Sequence, residues 1–424
     1  MNMNKTRPGV YVNVNAELTA LTRDNLGVVA IPLALNWGAP EFTEIQQDQS
    51  PLYKLGYQLN DSTMLPIKLI LKNAQTALVY RLNGGTKATG ELASGITATA
   101  LYEGTRGNDI SVQVKALETG YQISTYLDTQ EMDVQVVNAV KDFVTNEFVT
   151  ITGSGALEDK TVRLSGATDT PAEADDYDSF LAAAKIKDFN IITCTSTDQS
   201  IKNKIVDFVK AERAESHLMQ AVLENMRSDN EAVISVKNGF VLDDGTVVTA
   251  QDACAYVAGA SAAAGSTQSL TFAAVDGAVD CSPRLTDDQI KQAILDGQLV
   301  FSVRRKGVVI EYDINTLVTY NQKPKDYRKN KVIRVIDAIH NDVISIYETN
   351  YIGQVQNNKD GRNLLKGTLA EYLNGLQASG AIEDFDAAED IQVEALADKD
   401  SVHIQLAVKP TDTVDKIYID VEVQ

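Results

Sequence analysis

Three observations predict a multidomain α/β fold with an inserted antiparallel β-domain. Between Tyr177 and Asp280, short apolar runs such as FNIITC and EAVISV alternate with helical stretches. Such alternation implies a largely parallel sheet. From Gly90 to Asp178 the composition turns to Thr, Val, Gly and acidic residues, with short β-like runs at regular spacing. That pattern suggests a sandwich or barrel. Finally, both ends of the chain alternate apolar and polar residues without a hairpin partner beside them.

The elements follow in order. After the breaker Pro8-Gly9, Val10, Val12 and Val14 share one face of a strand, with Tyr11, Asn13 and Asn15 on the other. LGVVAIPLALN (26–36) reads as an apolar strand interrupted at Pro32, Tyr53 to Leu59 as a short helix, and ALVYRL (77–82) as a buried strand. The inserted segment holds ITATALYE, DISVQVKAL, YQISTYLD, MDVQVVNAV, FVTITG and TVRLSG; it carries 5 basic against 16 acidic residues, a balance of −11. FLAAAKIKDF is helical, and Ile201, Ile205, Phe208 and Val209 mark one face of a helix over 199–215. HLMQAVL and EAVISV are strands, and FVLDDGTVVT is a hairpin around Asp244-Gly245. ACAYVAGASAAAG is a helix of small residues that another element can approach closely.

Thr286 and Gln289 form a capping box opening a helix over 286–296. LVFSVRRKGVVIEY is a hairpin turning at Lys306-Gly307. A basic lead-in precedes an amphipathic helix with Ile333, Ile336, His340, Val343, Ile344 and Tyr347 in register, and a second helix runs from Gly361 to Ser379. Residues 386–400 read as acidic and turn-like, and VHIQLAV (402–408) and KIYIDVEV (416–423) close the chain as strands.

Composition narrows the function. The 424 residues carry 38 basic and 58 acidic side chains, a formal charge of −20. A general nucleic-acid binder needs a positive footprint, so that class is disfavoured; the same field repels an anionic membrane surface. No apolar run approaches the ~20 residues of a spanning helix. The opening MNMNKTRPGVYVNV lacks the apolar stretch of a signal peptide, so the expectation is a soluble chain made in a cytoplasm.

Catalytic patterns are thin. Cys194, Cys254 and Cys281 are odd in number and far apart, which argues against disulfides or a CxxC metal site. No HExxH or GxSxG occurs, and none of His217, His340 and His403 adjoins a strand-turn-helix elbow. Gly84-Gly85-Thr86-Lys87 lacks P-loop spacing and reads as a turn; Asp243-Asp244 and Asp287-Asp288 read as solvated caps. The turn Gly104-Thr105-Arg106-Gly107-Asn108 has backbone able to bind an anion, but reads as structural. No catalytic residue, cofactor or metal site is expected.

Two features remain. The terminal strands pair either inside their own domain or on a neighbouring subunit. The chain also holds a basic strip, Lys323, Lys325, Arg328, Lys329, Lys331 and Arg334 with the lone acid Asp326, followed by twelve acids and three lysines over 383–422. Such a strip is either a solvated helix start or the seat of an acidic partner.

The sequence resembles the contractile tail sheath proteins of contractile-tailed phages and phage-tail-like bacteriocins. The resemblance spans nearly the whole chain: RPGVYV (7–12), LNWGAPEFTEI (35–45), GTRGNDISVQV (104–114), YVAGASAAAGSTQSLTF (256–272), INTLVT (314–319), VIRVIDAIHNDV (332–343), YIGQVQNNKDGRNLLKGTLAEYLNGLQASGAI (351–382) and KIYIDVEV (416–423). Each motif is weak alone; their order and spacing make the match specific.

The resemblance implies a subtilisin-like α/β core without a triad, an inserted antiparallel β-sandwich, a C-terminal α/β domain and exchanged terminal strands. The implied boundaries are 1–20 for the N-terminal arm, 21–90 and 178–284 for the core, 91–177 for the sandwich, 285–414 for the C-terminal domain and 415–424 for the C-terminal strand. It implies a non-enzymatic structural subunit that stacks as sixfold rings around a tail tube and contracts to drive the tube through a bacterial envelope. Val10, Tyr11, Val12, Val14, Ile417, Ile419, Val421 and Val423 would carry the exchange, and Arg362, Lys366, Lys329 and Lys331 would face the tube. The implied partners are further copies of the chain, a tail tube protein, and baseplate and tail-terminator proteins, with no nucleic acid and no direct membrane binding. Assembly would occur in the host bacterial cytoplasm, before release as part of a tail particle or virion. The competing readings are a subtilisin-like-fold hydrolase and another phage tail or capsid structural protein.

Overall fold

The computed structural model describes residues 27–422. The proposed N-terminal strand, with Val10, Tyr11, Val12 and Val14, lies outside the described residues, as does Val423.

The core opens with β1 (Val28–Leu33), β2 (Phe42–Gln46), the single turn α1 (Leu52–Leu55), α2 (Leu65–Leu71) and β3 (Thr76–Arg81). Pro32 lies inside β1 and does not interrupt it, contrary to the sequence expectation. It aligns with Tyr80 of β3, but it lies beyond Ala30, the last β1 residue paired to the strand on the other side. Its missing N–H therefore removes no bond from a ladder there.

The insertion follows: β4 (Gly85–Thr86), β5 (Thr89–Ala93), β6 (Ile96–Ala100), β7 (Ile110–Ala116), β8 (Tyr121–Leu127), β9 (Gln130–Val137), β10 (Val149–Gly153), β11 (Lys160–Arg163) and β12 (Thr168–Asp169). One sheet has the order β10-β6-β5 and the other β11-β7-β8-β9. Alternation fixes what each face buries: Ile110, Val112 and Val114 point inward with Ile96, Ala98, Ala100 and Ile123. β4 pairs with β12, so the insertion closes where Thr170 N–H donates to Gly84 O at 3.0 Å. Trp37, from the core, is sealed into this sandwich, its ring stacked 6.1 Å from Phe148.

The core resumes with α3 (Ala174–Ala184), β13 (Ile191–Thr193), α4 (Gln199–Ala214), β14 (Gln220–Glu224), β15 (Val233–Val236), β16 (Gly239–Leu242), β17 (Val247–Val248), α5 (Ala250–Ala263), β18 (Ala278–Ser282), α6 (Asp287–Leu295), β19 (Gln298–Leu299), β20 (Phe301–Arg304) and β21 (Gly307–Ile310). The main sheet has the order β19-β15-β14-β13-β1-β3-β2. All its neighbours are parallel except β2 on β3. Its strands are apolar on both faces because helices cover both. Val29, Ile31, Val222 and Ile234 meet α2 and α5, while Val28, Ala30, Ala221 and Leu223 meet α3 and α4. The small residues of α5 permit close approach: a Cβ on Gly259 would stand 2.4 Å from Ile70 O of α2.

The C-terminal unit comprises α7 (Asn330–Asn350), α8 (Lys359–Ala378), β22 (Ile382–Glu383), α9 (Ala387–Asp390), β23 (Ile391–Ala395), β24 (Val402–Leu406) and β25 (Lys409–Pro410). Three expectations change here. The first turns of α7 are enclosed on all sides, so Val332, Ile333 and Val335 are all buried, with Ile339 and Ile346 continuing the stripe; Ile336, His340, Val343, Ile344 and Tyr347 are only half-buried. The acidic stretch after Asp386 contains a strand, β23, because Ile391 and Val393 face the helices while Gln392 and Glu394 face water. No strand forms over 416–422, because those residues find no ladder partner among the described residues.

Candidate functional site

The groups tested for chemistry are structural. The anion bound by the Gly104–Asn108 turn is the chain's own: Thr105 N–H donates to the Asp169 carboxylate at 3.0 Å. Arg106, in the same turn, pairs with Asp109 at 3.0 Å and Asp128 at 2.7 Å, and lies over the Tyr57 ring. It thus ties sandwich to core. The His217 ring meets the Glu212 carboxylate, the His340 ring meets the Ser216 carbonyl, and His403 is exposed on β24. Burial raises all three thiol pKa values, Cys194 and Cys281 each to about 11, which leaves them inert as nucleophiles. Among the described residues no His, Cys, Asp or Glu cluster has metal-binding geometry, and no helix is long and apolar enough to cross a membrane.

The unusual surface is the end of the C-terminal unit. β23 and β24 pair over Ile391↔Leu406 to Ala395↔Val402 as a sheet of two strands, so among the described residues each has an open edge. α8 backs this sheet: Leu369 and Leu373 pack with Ile391, Val393 and Ile404. The Asn358 side chain caps α8, accepting from Gly361 N–H at 2.8 Å. The chain then passes through β25, and Thr411 N–H donates to Ala381 O at 3.0 Å. Beyond Asp415 the apolar residues face water: Ile417 is 75% exposed, Ile419 77% and Val421 79%. The period-two signal that predicted a strand is therefore present, without a strand for it to join among the described residues.

The four residues expected to face a tube do not form one surface. Arg362 and Lys366 lie one turn apart on α8, half-buried. Arg362 donates to Asn357 at 2.9 Å, and Lys366 donates to Ile391 O at 2.7 Å. Lys329 and Lys331 are taken up inside the chain. The Lys329 ammonium bonds Asp415, pairs with Asp412 at 3.1 Å and sits 4.6 Å from the centre of the Tyr312 ring. Burial opposes its charge, yet the two carboxylates hold its pKa above the ordinary lysine value. Lys331 is 5% exposed and donates to Thr411 Oγ1 at 3.2 Å; burial lowers its pKa.

The basic strip thus has acidic partners within its own chain. Lys323 bonds Glu231, and Arg334 pairs with the buried Asp313 at 2.8 Å. In the sequence Asp412 and Asp415 stand only as two of the twelve acids over 383–422, and nothing local marks Asp313. The only available signal was the charge asymmetry itself, with Asp412 and Asp415 three residues apart just ahead of the terminal apolar alternation.

Comparisons with known proteins agree along the chain. Family models match residues 27–82 (tail sheath protein Gp18 domain III N-terminal region), 83–172 (phage tail sheath protein beta-sandwich domain), 170–316 (phage tail sheath protein central domain) and 322–424 (phage tail sheath C-terminal domain). The chain is 36% identical to the phage-like element PBSX protein XkdK of Bacillus subtilis (strain 168), over 99% of this chain and 97% of that protein. The crystal structure of a sheath tail protein from Desulfitobacterium hafniense superposes with a TM-score of 0.85 at 40% identity, covering 97% of this chain and 99% of that one. A sheath tail protein from Listeria innocua gives 0.84 at 35% identity, over 92% and 93%.

Proposed function

Because the chain belongs to the phage tail sheath family, structural proteins of contractile injection systems and not enzymes, we propose that its subunits stack as sixfold rings around a tail tube. Contraction of that sheath would drive the tube through a target bacterial envelope. The observation that carries this reading is the segment 416–422, whose alternating Ile417, Ile419 and Val421 are exposed and unpaired. Fully burying one such side chain contributes roughly 1.5–3 kcal/mol. An edge of the two-stranded β23–β24 sheet in a neighbouring copy is a suitable acceptor, since backbone bonds and alternate side-chain pockets are what strand addition uses. The N-terminal segment 7–15 is assigned the same role on its valine alternation. A donor strand and an acceptor edge at different places on one subunit make a head-to-tail contact, which propagates as a helix.

Contraction in this scheme needs no nucleotide. It is a change between two packings of rigid subunits, with the exchanged strands as tethers that survive the motion. The core, with helices on both faces of its sheet, is read as a subtilisin-like scaffold that has kept the shape and no triad. The inserted sandwich, with its −11 balance over 90–178, is assigned to the outer, solvated side. Arg362 and Lys366 on α8 remain the proposed tube-facing pair. Baseplate and tail-terminator proteins are the proposed end partners, and the host bacterial cytoplasm the proposed place of assembly.

Electron microscopy of the concentrated protein, with and without tube protein, tests the reading. The full chain is expected to form hollow helical tubes. A chain ending at Asp415 is expected to stay monomeric with an unchanged circular dichroism spectrum. Tubes of ordinary length from the shortened chain would overturn the exchange.

A further inference from the structure

We propose that Lys329 is the anchor of the C-terminal strand: by gripping Asp412 and Asp415 it fixes where residues 416–422 leave the subunit, and so which neighbour they reach. This rests on the strand-exchange reading above and adds a positioning residue to it.

The grip is local and nearly enclosed. The side chains of Lys329 and Asp415 are 14% and 10% exposed, whereas Ile417, two residues on, is 75% exposed. The change from held to free chain therefore falls at Lys416. Thr411 is fixed on both sides, by its own N–H to Ala381 O at 3.0 Å and by Lys331 at 3.2 Å. Lys329 itself is not free to drift. It stands immediately before α7, its N–H donates to Asp326 O at 2.9 Å, and it bridges backbone to backbone with Ile314. Tyr312, beneath its ammonium, and Asp313, the partner of Arg334, belong to the same loop. The root of the strand is thus held to the core of the subunit.

Geometry gives the consequence. The eight residues of the exchange strand, 416–423, at about 3.3 Å each reach about 26 Å from the clamp. Releasing residues 412–415 adds four more, or about 13 Å. A longer, looser tether lowers the effective concentration of the strand at its proper acceptor and brings other edges within range. The clamp matches reach to one neighbour. The Lys329–Asp415 pair, being mostly buried, is also screened by salt far less than a surface pair, whereas Asp412 is 41% exposed.

Three chains test this beside the wild type: Lys329→Met, the double variant Asp412→Asn with Asp415→Asn, and the exchange Lys329→Asp with Asp415→Lys. The double variant changes only residues at the strand's root, so it keeps the test open if Lys329→Met fails to fold. A chain ending at Asp415 is the control for exchange itself. The readouts are hydrogen exchange over 411–416 in the monomer and the critical concentration for tube formation. We expect faster exchange confined to 411–416, and a critical concentration raised about tenfold, in both unclamped variants. The charge-exchanged chain should recover most of both. Unclamped variants that polymerise like the wild type, while the shortened chain does not, would overturn the anchor and leave the exchange standing. A folded charge-exchanged chain that recovers nothing would also overturn it. A shortened chain that still polymerises would remove the exchange, and the anchor with it.

Discussion

Arg334 donates to the Asp313 carboxylate at 2.8 Å, and neither side chain is more than 8% exposed. Arg334 also donates to Gly265 O at 3.1 Å and Gln268 O at 2.8 Å, while Asp313 accepts from Leu270 N–H at 3.0 Å and Asn330 at 2.8 Å. One buried network therefore joins the start of α7 to the loop leaving α5. The C-terminal unit is held to the core by hydrogen-bonded charge as well as by apolar contact.

Breaking half of that pair leaves a buried charge without its counterion, which costs about 3–5 kcal/mol. Arg334→Leu is expected to lower the unfolding free energy of the monomer by about that much, read from urea denaturation. The double change with Asp313→Leu is expected to cost less than the sum of the single changes, since no uncompensated charge remains. Additive costs would show that the two side chains do not act as a pair.

The same network sets an acid limit. Burial pushes the Asp313 carboxyl up, but the Arg334 charge and the bonds from Arg334, Leu270 and Asn330 outweigh it and hold the pKa below the ordinary aspartate value. A folded pKa below the unfolded one, about 3.9, stabilises the protein in full above about pH 4. That contribution drains away as pH falls through the lower folded value. The melting temperature of the wild type should thus fall more steeply below about pH 4 than that of Arg334→Leu. Parallel curves would count against the assignment.

Gly259 makes a separate prediction about the core. Replacing a helical glycine with alanine ordinarily gains about 1 kcal/mol. Here the new methyl would stand 2.4 Å from Ile70 O, a backbone atom that cannot swing aside. Overpacking of this kind costs roughly 1–3 kcal/mol, so α2 and α5 must part and the loss wins. Gly259→Ala should therefore lower the melting temperature. Alanine at Gly367, where a Cβ meets nothing within 4 Å, should raise it.

What could be read from the sequence divides by the range of the interaction. Thr286 and Gln289 cap α6 as expected because a capping box closes over four residues. The apolar runs at β13, β14 and β15 read as a parallel sheet because burial on both faces leaves no polar alternation. The α7 stripe was misplaced because its first turn is buried all round, which erases the one-sided pattern that a helix on a surface shows. β23 was hidden by the acidic stretch around it, and within the strand Gln392 and Glu394 sit on the wet side. The pairing of Lys329 with Asp415 joins positions 86 apart, so no local rule reaches it. For 416–422 the alternation was legible, and no partner strand stands against it among the described residues.

Trp37 offers a test of how the sandwich is joined to the core. It is the chain's single tryptophan, 1% exposed, lodged between Phe148 and Tyr102 of the insertion although it belongs to the core segment. Removing residues 85–169 and joining Gly84 to Thr170 uses ends already linked by a 3.0 Å hydrogen bond. The cut spares α3, whose Phe180 and Leu181 pack on the main sheet. It uncovers Trp37 and Leu52, each worth roughly 1.5–3 kcal/mol of burial. That loss lies below the roughly 5–15 kcal/mol stability of an ordinary domain, so the shortened core should still fold. Its fluorescence maximum should move to the red as Trp37 meets water, while its circular dichroism keeps the helical signal of α3, α4 and α5. An unshifted maximum in a folded chain would mean that Trp37 has found cover within the core, and that the sandwich is joined less intimately than its packing implies.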